Sequence, residues 1–146
     1  MALRATHSHV VARTLSDQVI LIRRVRHGRV YYIAPGSEVQ DGETPGAAAE
    51  RVAAHHLGIE AVVERLLFAE TFAGVDHFFF LASAPTELLP KTPPPQYLAD
   101  SDFPGEFEGT YETVRLERDT ILAYDVRPVG LARRVAGASS PADTQG

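Results

Sequence analysis

The sequence predicts a single domain of the α/β (α+β) class, and three features support this prediction. The chain has 146 residues, the length of one domain, and its hydrophobic fraction of 45% is enough to form a core. Several segments rich in β-branched and aromatic residues, separated by turn formers, predict strands. Residues 45–57 carry the start and stop signals of a helix. We expect the domain to span residues 1–136.

The strand predictions begin with three consecutive antiparallel strands, in which Gly28 supplies the positive φ that the second turn requires. Residues 59–72 predict one or two further strands. Phe78, Phe79 and Phe80 are consecutive in a later strand, so they alternate between its faces and predict that both faces are buried. The predicted strands cover residues 10–14, 19–25, 29–34, 59–72, 76–83 and 111–116.

The helix prediction rests on its ends. Thr44 is a good N-cap, Pro45 suits the first helical position, and Gly58 can end the helix in the left-handed conformation. Residues 35–43, which precede this helix, predict a loop. A short closing helix is expected over residues 128–135.

Two segments predict little regular structure. Residues 84–109 contain six prolines, which excludes helix or strand from most of the segment. Residues 137–146 are small and polar, so we expect a disordered tail.

Composition excludes several function classes. The formal net charge is −5 and no basic block occurs, so we expect neither nucleic-acid nor membrane binding. The chain contains no cysteine, which excludes disulfides, thiolate chemistry and cysteine-based zinc sites. No apolar stretch approaches the roughly 20 residues that span a bilayer. A cytoplasmic location is therefore expected.

Residues 35–59, PGSEVQDGETPGAAAERVAAHHLGI, resemble the Nudix box, G-x5-E-x7-R-E-U-x-E-E-x-G-U, where U is aliphatic. Without gaps, Glu43 matches the first Glu, Arg51 the Arg, Gly58 the Gly and Ile59 the last aliphatic residue. The flanking Gly36 also resembles the family pattern. The predicted order of elements extends this resemblance over most of the chain.

This resemblance implies an α/β/α sandwich with a mixed sheet, and an ion pair between Glu43 and Arg51 that holds the box loop against the helix. It also implies hydrolysis of nucleoside diphosphates linked to another moiety, with magnesium or manganese, and a possible homodimer.

The departures from the box fall where the family binds its metal. Ser37 replaces the opening Gly, Val52 replaces the Glu after the Arg, and His55 and His56 replace the paired Glu. On an α-helix, positions 52, 55 and 56 share one face. Valine cannot bind a metal, and imidazole is a poor magnesium ligand that suits zinc, copper or nickel. The sequence therefore predicts a degenerate box whose magnesium site is lost, which leaves enzymatic activity an open question.

Other residues are candidates for ligand or metal binding. Arg23 and Arg24, with Arg26 and Arg29, could bind phosphates or form an ordinary charged sheet face. Tyr31 and Tyr32 point to opposite sides of their strand, so one of them is expected to line a ligand cleft, and Tyr32 is the candidate chosen. His55 and His56 could bind a metal with a third ligand, or be partly exposed helix residues. Glu38, Glu50 and Glu70 could be substitute acids or surface carboxylates.

Three functional hypotheses follow. The first is a Nudix-type protein that is weak or inactive as a pyrophosphohydrolase but binds a nucleotide-like ligand. The second is an active hydrolase with a metal site rebuilt from His55, His56 and a carboxylate. The third is a non-enzymatic scaffold or partner-binding module.

Overall fold

A computed structural model describes residues 5–84 and 110–138 of the chain. Residues 85–109, which hold all but the first residue of the predicted proline-rich loop, and residues 139–146 of the predicted tail lie outside the described part. No helix in the described part is long and apolar enough to cross a membrane.

Eight strands and two α-helices form the described domain. The strands are β1 (Ala5–Arg13), β2 (Gln18–Arg26), β3 (Arg29–Ile33), β4 (Gly36–Glu38), β5 (Val62–Phe72), β6 (Val75–Ser83), β7 (Thr110–Glu117) and β8 (Val126–Arg127). The α-helices are α1 (Pro45–Val52) and α2 (Leu131–Ala136), with a π-helical turn at Ala53–Leu57 and a 3-10 helix at Arg118–Ala123.

The strands form one mixed sheet in the order β5-β6-β1-β2-β3-β8, with β4 paired to β1 and β7 paired to β2. The pairs β1–β6 and β3–β8 are parallel and the others are antiparallel. Because β1 and β2 pair at only two positions, β4 can bind the remaining edge of β1. This pairing fixes the loop before α1 against the sheet.

Two apolar clusters cover the two faces of the sheet, as strand alternation requires. On one face, α1 and the π-helical turn pack on residues that include Val10, Ile20 and Ile22. On the other, α2 and the 3-10 helix pack on residues that include Val11, Leu21 and Tyr32. The α/β/α sandwich with a mixed sheet is therefore confirmed.

Most predicted elements are present with small changes at their ends. The strand predicted at residues 59–72 is a single strand, β5, with two irregularities in its pairing with β6. In β6, Phe79 belongs to the α2-side cluster and Phe80 packs against the α1-side cluster, which confirms that both faces are covered. The predicted closing helix begins three residues later than expected, at Leu131.

Two predictions about local structure were wrong. The first strand starts at Ala5 rather than at residue 10, and three residues of the predicted loop form β4. Both errors have one cause, because the polar residues 5–9 gain their strand conformation from pairing with β4 and β6. Ala138, at the start of the predicted tail, is buried beside α2.

Candidate functional site

The start of α1 is held by local hydrogen bonds and by one contact with the sheet. The Thr44 hydroxyl accepts a hydrogen bond from the Ala47 amide at 3.1 Å, as an N-cap should. Pro45 occupies the first turn, and its carbonyl accepts a hydrogen bond from Ser8 Oγ at 2.8 Å. The helix is thereby fixed to β1 at its first residue.

Glu43 and Arg51 form a bidentate ion pair across the loop. Arg51 Nε donates to Glu43 Oε2 at 2.8 Å, and Arg51 Nη2 donates to Glu43 Oε1 at 3.1 Å. Arg51 also donates to the Glu38 carbonyl at 3.0 Å, and Glu43 accepts from the Gln40 amide at 3.1 Å. The hydrogen bond from Arg51 is the main cause that lowers the pKa of Glu43. These contacts engage both carboxylate oxygens in holding the loop.

The helix changes character where the family pattern places its metal ligands. After Val52 the backbone forms a π-helical turn, which ends at Gly58 with φ of 70°. The amide of Gly58 donates to the Ala54 carbonyl at 3.1 Å, and that of Ile59 to the Ala53 carbonyl at 3.2 Å. The left-handed conformation is one that glycine adopts without strain.

The three residues that depart from the box pattern differ in burial. Val52 is fully buried in the α1-side cluster, and the His56 side chain is almost as buried, whereas His55 is exposed. Burial, followed by the nearby charge of Arg51, lowers the pKa of His56 to about 4. A π-helical turn rotates less per residue than an α-helix, which moves His55 further around the axis from Val52. The expectation that all three share one face is therefore wrong.

The carboxylates considered as substitute acids are dispersed. Glu50 accepts a hydrogen bond from the Val63 amide at 2.8 Å, so it connects α1 to β5. Glu38 is exposed on β4, and Glu70 lies on β5. In residues 5–84 and 110–138, no three His, Cys, Asp or Glu side chains are arranged to hold a metal ion.

A magnesium site of the family type does not fit the residues at this helix. Magnesium requires several hard oxygen ligands in octahedral geometry. The helix offers a buried valine, a buried imidazole and an exposed imidazole instead, and none of these supplies a hard oxygen.

The arginine and tyrosine candidates divide between the two faces of the sheet. Arg24 alternates with Ile20 and Ile22, so it lies on the α1 side, where it is fully buried. Arg23 points to the opposite side and forms an ion pair with Glu112 at 3.5 Å. Arg24, and not Arg23, thus faces the side of the box helix.

Among the tyrosines, Tyr31 and not Tyr32 lies on the box-helix side. Tyr32 belongs to the α2-side cluster and meets Tyr124 edge to face, with ring centroids 5.2 Å apart. Tyr31 is the register partner of Arg24, and the Arg127 guanidinium lies 4.2 Å from its ring centroid. Tyr32, the candidate chosen from the sequence, therefore faces away from the box helix, and no sequence feature singled out Arg127.

No protein-family model matches the sequence, and no curated protein sequence matches it. Solved structures do match over almost the whole chain. A MutT structure from work on the Aliivibrio salmonicida and Vibrio cholerae proteins is 15% identical, with a TM-score of 0.67 over 92% of this chain and 98% of that chain.

Two other structures give the same result. A Nudix hydrolase from Nitrosomonas europaea is 12% identical, with a TM-score of 0.65 over 93% of this chain and 70% of that one. A MutT protein from Methanosarcina mazei Go1 is 13% identical, with a TM-score of 0.62 over 90% and 89%. With the box-like loop and helix in place between β4 and β5, these similarities show that the chain has the Nudix fold.

Proposed function

We propose that this protein is a Nudix-type relative of the diphosphate hydrolases that binds a nucleotide-like ligand and has little or no magnesium-dependent hydrolase activity. The observation that carries the proposal is the complete burial of Val52 in the core beneath α1. In the family pattern this position is a magnesium-binding glutamate. Here its side chain contributes to packing, and a carboxylate at the same place would be cut off from water.

The neighbouring box positions support the same conclusion. His56 is buried, and its lowered pKa keeps the imidazole neutral at physiological pH. A neutral imidazole does not balance the charge of a diphosphate, and it binds magnesium poorly. Meanwhile Glu43 and Arg51 keep the loop in place without a metal. Glu43 and Arg51 therefore hold the loop in position although the glutamates of positions 52, 55 and 56 are absent.

Ligand binding is supported by the α1 side of β2 and β3. Arg24 and Tyr31 are register partners on this face, and the partly exposed Arg127 guanidinium lies 4.2 Å from the Tyr31 ring centroid. A guanidinium pairs well with phosphoryl oxygens, and Arg127 is the partly exposed guanidinium on this face that a phosphate could reach. The ligand class proposed is therefore a nucleotide or a nucleoside diphosphate derivative.

The test combines turnover with equilibrium binding. The full chain would be incubated with magnesium or manganese and ADP-ribose, NADH, a dinucleoside polyphosphate or a nucleoside triphosphate. We expect no hydrolysis above that of Glu43→Gln, and a thermal shift with at least one of these compounds. Arg127→Gln should abolish the shift, whereas Arg23→Gln, an arginine of similar exposure on the opposite face, should retain it.

Three outcomes would contradict the proposal. Hydrolysis at ordinary enzymatic rates that depends on Glu43 would show that the protein is an active hydrolase. Activity with manganese or zinc that is lost in His55→Ala would indicate a rebuilt metal site. A native chain that binds none of the nucleotides would favour a scaffold or partner-binding module. Circular dichroism of each variant separates loss of binding from loss of fold.

A further inference from the structure

The strand β5 lies at one end of the sheet, and its outer edge pairs with no other strand in the part of the chain that the structure describes. β5 runs over Val62–Phe72 and pairs with β6 along its inner edge. Backbone N–H and C=O groups on the outer edge of a terminal strand can pair with a strand of another chain. This edge is therefore a candidate interaction surface.

The side chains of β5 make this edge apolar. Val62 is 66% exposed, Leu66 is 45% exposed and Phe72 is 47% exposed. Among the described side chains of the other strands, Val30 on β3 is the one further large hydrophobic residue with comparable exposure. Apolar residues concentrated on one exposed edge mark a surface that a partner covers.

Two irregularities in β5 leave its outer edge accessible, because their side chains are used within the chain. The pairing with β6 skips Glu64 and Leu67. Glu64 accepts hydrogen bonds from Arg13 Nη2 at 2.8 Å and from Ser83 Oγ at 2.7 Å, and Leu67 is buried in the α2-side cluster. The other nine residues of β5 pair with β6 and alternate between the two faces of the sheet.

These nine residues are arranged symmetrically about Phe68. Counted by their partners on β6, Arg65 and Glu70 lie two residues on either side of Phe68, and Leu66 and Ala69 lie one residue on either side. A second copy of β5, placed antiparallel along the edge with Phe68 facing Phe68, therefore brings Arg65 opposite Glu70 and Leu66 opposite Ala69. In a two-fold arrangement each of these contacts occurs twice.

The same arrangement matches the charges and covers the exposed apolar residues. Arg65 and Glu70 are the two charged residues among the nine, and opposite charges directly across two strands stabilise the pairing. Val62 and Phe72 lie four residues on either side of Phe68 in the same count, so they meet at both ends of the interface. The strand edge is thus complementary to itself in charge and in apolar surface.

The box helix limits the length of the backbone pairing. The Val63 amide donates to Glu50 Oε2 at 2.8 Å, so it is already used by α1. The backbone ladder between two copies would therefore cover residues 65–70 of each, and side chains alone would make the outer contacts. A ladder of this length predicts a moderate affinity.

We propose that the outer edge of β5 is the interface of a two-fold homodimer, in which residues 65–70 of the two copies pair antiparallel and join the two sheets into one. A two-fold interface is closed, so assembly stops at the dimer. The interface uses neither the box loop nor Arg127, and it does not depend on the proposed function.

The test is sedimentation equilibrium of the full chain over a range of concentrations. We expect a monomer–dimer equilibrium with a dissociation constant in the micromolar range. Arg65→Glu places a carboxylate opposite Glu70 and should weaken the dimer at least about tenfold, as should Glu70→Arg, because each reversed contact occurs twice. The double variant exchanges the two charges and should restore the dimer. The matched control is Arg115→Glu, an exposed arginine on β7, which should dimerise like the wild type.

Hydrogen exchange of the wild type locates the interface without a substitution that could disturb folding. Amides within residues 65–70 should exchange faster when the chain is diluted below the dissociation constant, and those of β7 should not change. Protection of residues 65–70 that is independent of concentration would overturn the proposal.

Three results of the sedimentation experiment would also overturn the proposal. The first is a wild-type chain that stays monomeric at millimolar concentration. The second is a dimer that tolerates both single charge reversals, or that is lost in them and does not return in the double variant. The third is growth of the wild type into larger oligomers, since a closed two-fold interface cannot produce them.

Discussion

At the scale of single residues, the ion pair between Glu43 and Arg51 has a measurable structural role. Each side chain is less than one-fifth exposed, and two charge-assisted hydrogen bonds join them. Glu43→Gln should lower the free energy of unfolding by about 2 kcal/mol in urea denaturation. Glu112→Gln, which loosens the exposed pair with Arg23 at 3.5 Å, should change it by less than about 0.5 kcal/mol.

The same pair makes a prediction about pH. Arg51 lowers the pKa of Glu43 below its ordinary value of 4.5. The contribution of Glu43 to stability is therefore fully present above pH 4.5 and is lost as the pH falls through the lowered pKa. The difference in stability between the wild type and Glu43→Gln should shrink on acidification, and a difference that stays constant down to pH 2 would argue against the ion pair.

The buried histidines predict acid sensitivity at a higher pH. The pKa of His56 falls from 6.5 to about 4 and that of His9 from 6.5 to about 3. Below pH 6.5 the unfolded chain binds protons that the folded chain does not, so stability decreases as the pH falls.

Each histidine contributes a slope of at most about 1.4 kcal/mol per pH unit. In metal-free buffer, His56→Gln should flatten the profile between pH 6.5 and pH 4. An unchanged slope in that variant would show that His56 is not held neutral in the folded chain.

At the scale of elements, the box helix should accept a carboxylate at one of its departing positions and reject it at another. Val52→Glu buries a carboxylate in an apolar cluster, and we expect it to cost at least about 3 kcal/mol of stability. His55→Glu changes an exposed side chain and should cost less than about 0.5 kcal/mol, as should the control Ala54→Glu. Chemical denaturation of the three variants measures this difference.

The burial of Val52 also predicts the effect of placing glutamate at all three departing positions. Glutamate at positions 52, 55 and 56 together should not regain magnesium binding, because the carboxylate at position 52 would enter the core and not a solvated cleft. A stable triple variant that binds magnesium would mean that only the ligands, and not the surrounding cleft, had diverged.

The extent of the box helix could be predicted, but its shape could not. Thr44, Pro45 and Gly58 mark both ends through local backbone chemistry, and the predicted span of 45–57 contains α1 and the π-helical turn. No residue in the span signals a π-helical turn in advance. The burial of His56 and the exposure of His55 depend on that turn. The prediction that positions 52, 55 and 56 share one helix face was therefore wrong.

The strand that carries His7 and His9 could not be predicted from the sequence. His7 and His9 have the spacing of two residues on one strand face, but residues 5–9 are too polar to predict a strand. Their strand conformation comes from pairing with β4 and β6, which lie about 30 and 70 residues further along the chain. Long-range pairing of this kind has no local signal.

At the scale of the whole molecule, the sheet places the candidate residues on two different faces. The α1 side holds the Glu43–Arg51 pair with Arg24 and Tyr31, and the α2 side holds Tyr32 and the His9 ring, which stacks on Phe79. The fold itself could be predicted, because the box-like spacing and the order of elements were both present in the sequence. The ligand-binding candidates were only partly placed on the correct face of the sheet. Arg24 lies on the α1 side, but Arg23 and Tyr32 lie on the side away from α1.

Magnesium titration of the wild-type chain tests the loss of the magnesium site most directly, because the imidazoles that replace two of the box glutamates bind magnesium poorly. Calorimetry with magnesium chloride, in the presence and absence of ADP-ribose, should show no saturable binding at millimolar concentrations. Saturable binding of one or more magnesium ions per chain, weakened by Glu43→Gln or His55→Ala, would contradict the account and show that the box helix still holds its metal.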